Sequence, residues 1–154
     1  MQAQDKSVTV LLSTDENLDW LYEGDYHAQL MSQMLSLVKK GFRICYIAAP
    51  IQTAEQGFDT LSRWLPLHLT GQIDAYYYPR LRDVLYHRTM IILPGVASVL
   101  SSSIGNQTKN RYTLLSQDSR MLECFAGDFH DLLSRCKPMI TTHSSEGNAE
   151  DLLR

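Results

Sequence analysis

Apolar residues follow two different spacings along the chain, and each spacing predicts a different kind of element. Where apolar and β-branched residues run together or alternate, we predict strands at residues 7–13, 42–49, 73–78, 112–116 and 136–140. Where apolar residues recur every three or four positions, we predict helices at residues 25–40 and 53–71 and after Asp118. Strands and helices therefore alternate through most of the sequence.

Residues 86–104 predict a β-hairpin around which the other elements are arranged. Two apolar runs meet at Pro94 and Gly95, a pair that favours a tight turn, and the second run ends in three consecutive serines. Side chains alternate between the two faces of a strand, so His87 and Thr89 share one face and Arg88 lies on the other. A cluster of polar side chains is therefore expected at the open end of the hairpin.

This hairpin resembles the signature of the phospholipase D superfamily, His-x-Lys-x-x-x-x-Asp-Gly followed by a segment of small residues. The histidine corresponds to His87 and the glycine to Gly95, whereas Thr89 stands at the lysine position and Pro94 at the aspartate position. In the family, the histidine attacks phosphorus, the lysine holds the phosphoryl oxygens, and a histidine from a paired half protonates the leaving group. The small residues correspond to Ser101, Ser102 and Ser103.

The resemblance implies the fold of this superfamily without its reaction. Fixed charge that stabilises the transition state usually contributes most to catalysis, and the chain lacks the lysine that supplies it. We therefore expect no catalytic residue. One alternative is a phosphodiesterase or nuclease in which His87 is the nucleophile and Arg80 or Arg82 replaces the lost charge. His87 is also compatible with a purely structural role at the edge of the core.

The order of elements predicts an α/β domain with a mixed, mostly parallel sheet and helices on both faces. This order corresponds to one half of a phospholipase D-like fold. Residues 1–140 are expected to form this single domain, and residues 141–154 a polar tail. Because enzymes of the superfamily pair two halves, the resemblance implies a homodimer with the two His87 hairpins near a two-fold axis.

Composition narrows the possible classes of function. Of the 154 residues, 44% are hydrophobic and 20% are charged, as in ordinary globular domains. No apolar run approaches the roughly 20 residues that span a bilayer, and the first residues lack the order typical of a signal peptide. We therefore expect a cytoplasmic protein without a membrane partner. The net charge of −3 and the scattered basic residues argue against direct nucleic-acid binding by this chain.

The cysteines give no sign of a metal site. The chain has three of them, an odd number, and no Cys-x-x-Cys spacing. This pattern predicts neither a disulfide framework nor a zinc site, and we expect buried, reduced thiols at Cys45 and Cys124. No cofactor is predicted.

Residues 64–79 also look like bacterial domains attached to helix-turn-helix transcription regulators. This likeness implies a non-catalytic effector domain that senses a ligand or mediates dimerisation, with DNA contacted only through a separate DNA-binding segment. A small polar or anionic ligand would bind in a cleft beside the hairpin. The predicted lining residues are Tyr76, Tyr78, Arg80, His87, Thr89, Ser101 and Ser103. A protein-interaction module without a ligand is the remaining alternative.

The segment between the first strand and the first helix is unusually acidic. Residues 14–25 contain five acidic side chains together with Trp20 and Tyr22. Such a segment either rims a pocket or forms a solvated loop held in place by its apolar residues.

Overall fold

A computed structural model describes residues 8–16, 19–49, 53–80, 85–105 and 110–139. The seven strands are β1 (Thr9–Thr14), β2 (Arg43–Ala48), β3 (Ile73–Tyr77), β4 (Tyr86–Leu93), β5 (Ala97–Ile104), β6 (Tyr112–Ser116) and β7 (Lys137–Pro138). The helices are α1 (Tyr26–Lys39), α2 (Ala54–His68) and α3 (Ser119–Leu133), and a short 3-10 helix (Asp19–Tyr22) precedes α1. Among these helices, none has the length and apolar character that crossing a bilayer requires. The predicted tail at 141–154 lies outside the described residues.

All seven strands form one sheet in the order β6-β5-β4-β1-β2-β3-β7. The sequence predicted a mostly parallel sheet, and this prediction is wrong. Only β1 with β2 and β2 with β3 are parallel, while the other four pairings are antiparallel. A parallel pairing needs a crossover of a dozen residues or more, which α1 and α2 supply for the first three strands. Strands β4, β5 and β6 follow one another through short connections and pair antiparallel as neighbours. The other two antiparallel pairs, β1 with β4 and β3 with β7, join strands that are not consecutive in the sequence.

The helices cover both faces of the sheet, as predicted. On one face, α1 and α2 pack on β1, β2 and β3 through a core that includes Met34, Ile44, Trp64 and Leu67. On the other face, α3 places Phe129 against Leu11, Cys45, Ile47 and Ile92. Strands β1 and β2 are buried on both faces, which explains their nearly continuous apolar sequences.

Local signals account for most element ends. Asp118 accepts hydrogen bonds from the backbone N–H groups of Arg120 and Met121, and Thr53 accepts one from Gln56, so both residues cap helices as predicted. The turn between β4 and β5 contains Gly95 at a φ of 76°, a conformation that side chains with a Cβ rarely adopt. Pro66 lies inside α2. The last predicted strand shrinks to the two residues of β7.

Cys45 and Cys124 differ in their surroundings. Burial, with smaller contributions from Asp74 and Cys136, raises the pKa of Cys45 from 9.0 to about 11. The folded state therefore holds this proton more tightly than the unfolded state, and the associated stability is lost as the pH rises from about 9 towards 11. Cys124, predicted to be buried, is exposed on α3.

Labelling with Ellman's reagent at pH 8 tests this difference between the thiols. We expect Cys124 to react at once and Cys45 to react only on the timescale of unfolding, because the thiolate is the reactive form. In Cys124→Ser the fast phase should fall to the contribution of the half-buried Cys136. A fast phase that persists in Cys124→Ser and also in the double variant with Cys136→Ser would contradict a protected Cys45.

Candidate functional site

Polar side chains gather at the open end of the β4–β5 hairpin, on the face that carries α1 and α2. The register pairs His87 with Ser103 and Thr89 with Ser101, so the four side chains lie on one face. The shared face of His87 and Thr89 agrees with the two-residue alternation predicted from the sequence. The hydroxyl of Ser101 is buried and has no hydrogen-bond partner among the described residues.

Thr89, at the lysine position of the phospholipase D signature, belongs to a hydrogen-bonded chain. Its hydroxyl donates to Oε2 of Glu16, and its oxygen lies 2.7 Å from Oγ1 of Thr14. Because the single proton of Thr89 goes to Glu16, Thr14 donates to Thr89. Thr14 in turn accepts from the backbone N–H of Glu16 at 3.3 Å. The network ties the end of β1 to β4.

Glu16 is a buried carboxylate balanced by one guanidinium group. Its side chain is 1% exposed, and Oε1 lies 3.6 Å from Nε of Arg111. The guanidinium of Arg111 also lies 5.0 Å from the centroid of the Trp20 ring, within the range of a cation–π contact. Residues from the segment after β1 and from the position just before β6 thus meet over the hairpin.

His87 lies beside a second carboxylate. Its Nδ1 atom is 3.9 Å from Oδ2 of Asp15, which is beyond hydrogen-bonding distance. Asp15 instead accepts a hydrogen bond from the backbone N–H of Arg88. The side chain of Arg88 points to the opposite face, where it lies 3.7 Å from Asp128. Arg88 and Thr89 therefore lie on opposite faces of β4, as the alternation of strand side chains predicts.

A pocket of about 320 Å³ opens next to Thr89, between α1 and the sheet. Leu12, Ile91 and Tyr46 lie on its sheet side, and α1 contributes Gln29 and Gln33. The remaining lining residues are Thr14, Trp20, Leu21, Tyr26, Leu30, Met34, Trp64 and Thr89. The pocket therefore combines aromatic and aliphatic walls with hydroxyl and amide groups. The N–H groups of both tryptophans are buried without a hydrogen-bond partner among the described residues.

The sheet separates the predicted site residues into two groups. Tyr76 is paired with Ile47 and packs with the α3-side core, and Tyr78 lines a smaller pocket on that same side. Strand β3 is three strands from β4, about 14 Å across the sheet. Arg80 is an exposed residue after β3, and Arg82 lies outside the described residues. The predicted single cleft is therefore not formed, and Thr89 is the predicted residue that lines the larger pocket.

Sequence reasoning did not select four residues that define this site: Asp15, Glu16, Trp20 and Arg111. The acidic, aromatic segment 14–25 was a usable signal, because one of its two interpretations was a pocket rim. Trp20 does line the pocket. Arg111 gave no local signal, since its partner Glu16 lies far away in the sequence. Within the described ranges, no group of His, Cys, Asp and Glu side chains is placed to hold a metal ion.

Comparison with known proteins shows a likeness of fold only. No family model matches the chain, and no curated protein matches its sequence. Among solved structures, TrmBL2, described as an archaeal chromatin protein with a novel mode of DNA binding, has a similar fold. The match has a TM-score of 0.56 at 14% sequence identity and covers 85% of this chain and 45% of TrmBL2. The chain thus spans less than half of that protein, with which it shares a fold.

Proposed function

We propose that this chain is a non-catalytic effector domain of a transcription regulator and that it binds a neutral polar small molecule in the pocket beside Thr89. The scaffold is a phospholipase D-like half that has lost its reaction, and DNA is contacted through a separate segment of the regulator. The likeness of fold to TrmBL2 supports the link to DNA-associated proteins. One observation carries the proposal: the hydroxyl of Thr89, which the resemblance aligns with the family's lysine, donates a hydrogen bond to the buried carboxylate of Glu16.

The charges around the hairpin argue against phosphate chemistry. A phosphodiester at His87 would meet Asp15 beside the histidine and Glu16 beside Thr89, where the family places a cation. Arg111 is already paired with Glu16. Repulsion between the substrate and these carboxylates would raise the barrier that the family lowers with its lysine.

Among the described residues, the lining of the pocket beside Thr89 contains no charged side chain, which favours a neutral ligand over an anionic one. The pocket offers aromatic surface from Trp20 and Trp64 and hydrogen-bonding groups from Gln29, Gln33 and Thr89. This combination suits a molecule with hydroxyl or amide groups on one side and an apolar face on the other. A polyhydroxylated ligand such as a sugar fits that description better than a nucleotide or inorganic phosphate.

Intrinsic fluorescence is a direct assay of binding, because the two tryptophans of the chain, Trp20 and Trp64, both line the pocket. We expect a neutral sugar to change this fluorescence and to raise the midpoint of thermal unfolding. At a ligand concentration 100 times Kd, the free energy of unfolding should rise by about 2.7 kcal/mol. Gln33→Ala removes a side chain that would hydrogen-bond to the ligand. The affinity of this variant for the sugar should therefore fall by about tenfold.

The control for this experiment is Gln117→Ala, an exposed glutamine outside the pocket, which should bind like the wild type. Binding of inorganic phosphate or nucleotides, with no response to sugars, would contradict the neutral-ligand proposal. Absence of any response would favour a protein-interaction module. Hydrolysis of an aryl phosphodiester that is abolished in His87→Ala would instead identify an enzyme with a rebuilt site.

A further inference from the structure

The two edges of the sheet are protected very differently. Strand β7 at one edge has only two residues, Lys137 and Pro138, and both are exposed. Short length, lysine and proline are three devices that prevent an edge strand from pairing with another chain. Strand β6 at the other edge has five residues and contains neither a charged residue nor a proline. Of the described strands, none pairs with its outer side.

Strand β6 is also apolar on both faces. Tyr112 and Leu114 are 64% and 43% exposed on the face that carries α3, and Leu115 is 68% exposed on the other face. Helix α3 packs against β1, β4 and β5. Next to Tyr112, the exposed pair Tyr86 and Ile104 extends the apolar surface across β5 and β4. Large exposed apolar surface of this kind marks an interaction site.

We propose that β6 pairs antiparallel with β6 of a second copy of this chain, which joins the two sheets into one. A second copy fits because the strand carries no charge, so two identical strands meet without repulsion. A two-fold axis normal to the sheet places one residue opposite its own copy. With the central residue, Leu114, on the axis, Tyr112 lies across from Ser116 and Thr113 across from Leu115. Each larger side chain thus faces a smaller one, and the two leucines face each other.

This assembly differs from the dimer that the phospholipase D resemblance implies. Strand β4 is two strands inward from β6, so each His87 would lie at least about 12 Å from the axis, at about 4.8 Å per strand. The two histidines would therefore be far apart and could not share a substrate. The edge-to-edge dimer is independent of the ligand pocket, so either proposal can fail without the other.

A charge-swap experiment on the 154-residue chain tests the register directly. By sedimentation at micromolar concentrations, we expect the wild type to be a dimer and Leu114→Lys to be a monomer, because two ammonium groups would face each other. Leu114→Glu should be a monomer for the same reason. An equimolar mixture of the two variants should form a heterodimer, because the facing charges are then opposite.

The matched control is Leu65→Lys, since Leu65 is 49% exposed on α2, close to the exposure of Leu114. This variant should remain dimeric, and circular dichroism verifies the fold of each variant. A monomeric wild type would overturn the proposal, and so would a dimer that survives both Leu114 substitutions. Loss of the dimer in Leu65→Lys, or a mixture that stays monomeric, would also overturn it.

Oxidative cross-linking of Leu114→Cys in a Cys124→Ser background gives an independent readout. If Tyr86→Cys cross-links instead, the dimer forms around the His87 hairpins.

Discussion

Replacing Arg111 by leucine should lower the free energy of unfolding by about 3 kcal/mol. The substitution leaves the carboxylate of Glu16, whose side chain is 1% exposed, without its partner cation. A buried charge that loses its partner is strongly destabilising, because neither water nor another group replaces the lost interaction. Urea unfolding followed by circular dichroism measures the effect as a lower midpoint at an unchanged slope.

The double variant Glu16→Gln, Arg111→Leu separates the charge from the packing of Arg111. Removing the carboxylate together with its partner should restore at least half of the lost stability, because no uncompensated charge then remains. Arg135→Leu serves as the control, since the pair of Arg135 and Asp131 is exposed and should contribute less than about 0.5 kcal/mol. Equal losses in the single and double variants would mean that Arg111 stabilises the fold through packing, not through charge.

Phe129→Ala should be at least as destabilising, by about 3 to 5 kcal/mol. Phe129 is 0% exposed and is the side chain through which α3 enters the core formed by Leu11, Ile47 and Ile92. Deleting its ring removes buried apolar surface and leaves a cavity that the rigid strands β1 and β4 cannot fill. Thermal unfolding should show a midpoint lower by about 10 °C.

Phe58 supplies the matched substitution for this experiment. It is 71% exposed on α2, so Phe58→Ala should change the free energy of unfolding by no more than about 0.5 kcal/mol. A loss in Phe129→Ala as small as that in Phe58→Ala would mean that α3 is not part of the cooperative core. The contrast therefore tests whether both faces of the sheet are needed for stability.

The local elements were predictable because their signals lie in adjacent residues. The Pro94 and Gly95 turn, the Asp118 cap and the alternation of His87, Arg88 and Thr89 all appear where the sequence placed them. The direction of strand pairing was not predictable in the same way. A two-residue period reports which face a side chain occupies, but it carries no information on whether a neighbouring strand runs parallel or antiparallel.

The candidate site was predictable only within one hairpin. His87, Thr89, Ser101 and Ser103 share a face because a hairpin fixes the register between its own strands. Tyr76 lies on β3, outside the hairpin. Whether Tyr76 and His87 share a face of the sheet therefore depends on the tertiary structure and not on the register of one hairpin. The pairing of Glu16 with Arg111 depends on the tertiary structure as well, because strands β2 to β5 separate these two residues in the sequence.

The residues that line the pocket beside Thr89 fall into two groups, which differ in how freely they can be substituted. Tyr46 and Trp64 stack on each other with ring centroids 4.8 Å apart and also belong to the hydrophobic core, so a change in either one would weaken the fold. Gln29 and Gln33 lie on the solvent-accessible side of α1, where substitutions are tolerated. Under the proposed function, substitutions on α1 would therefore change ligand selectivity while the aromatic residues of the core stay constant.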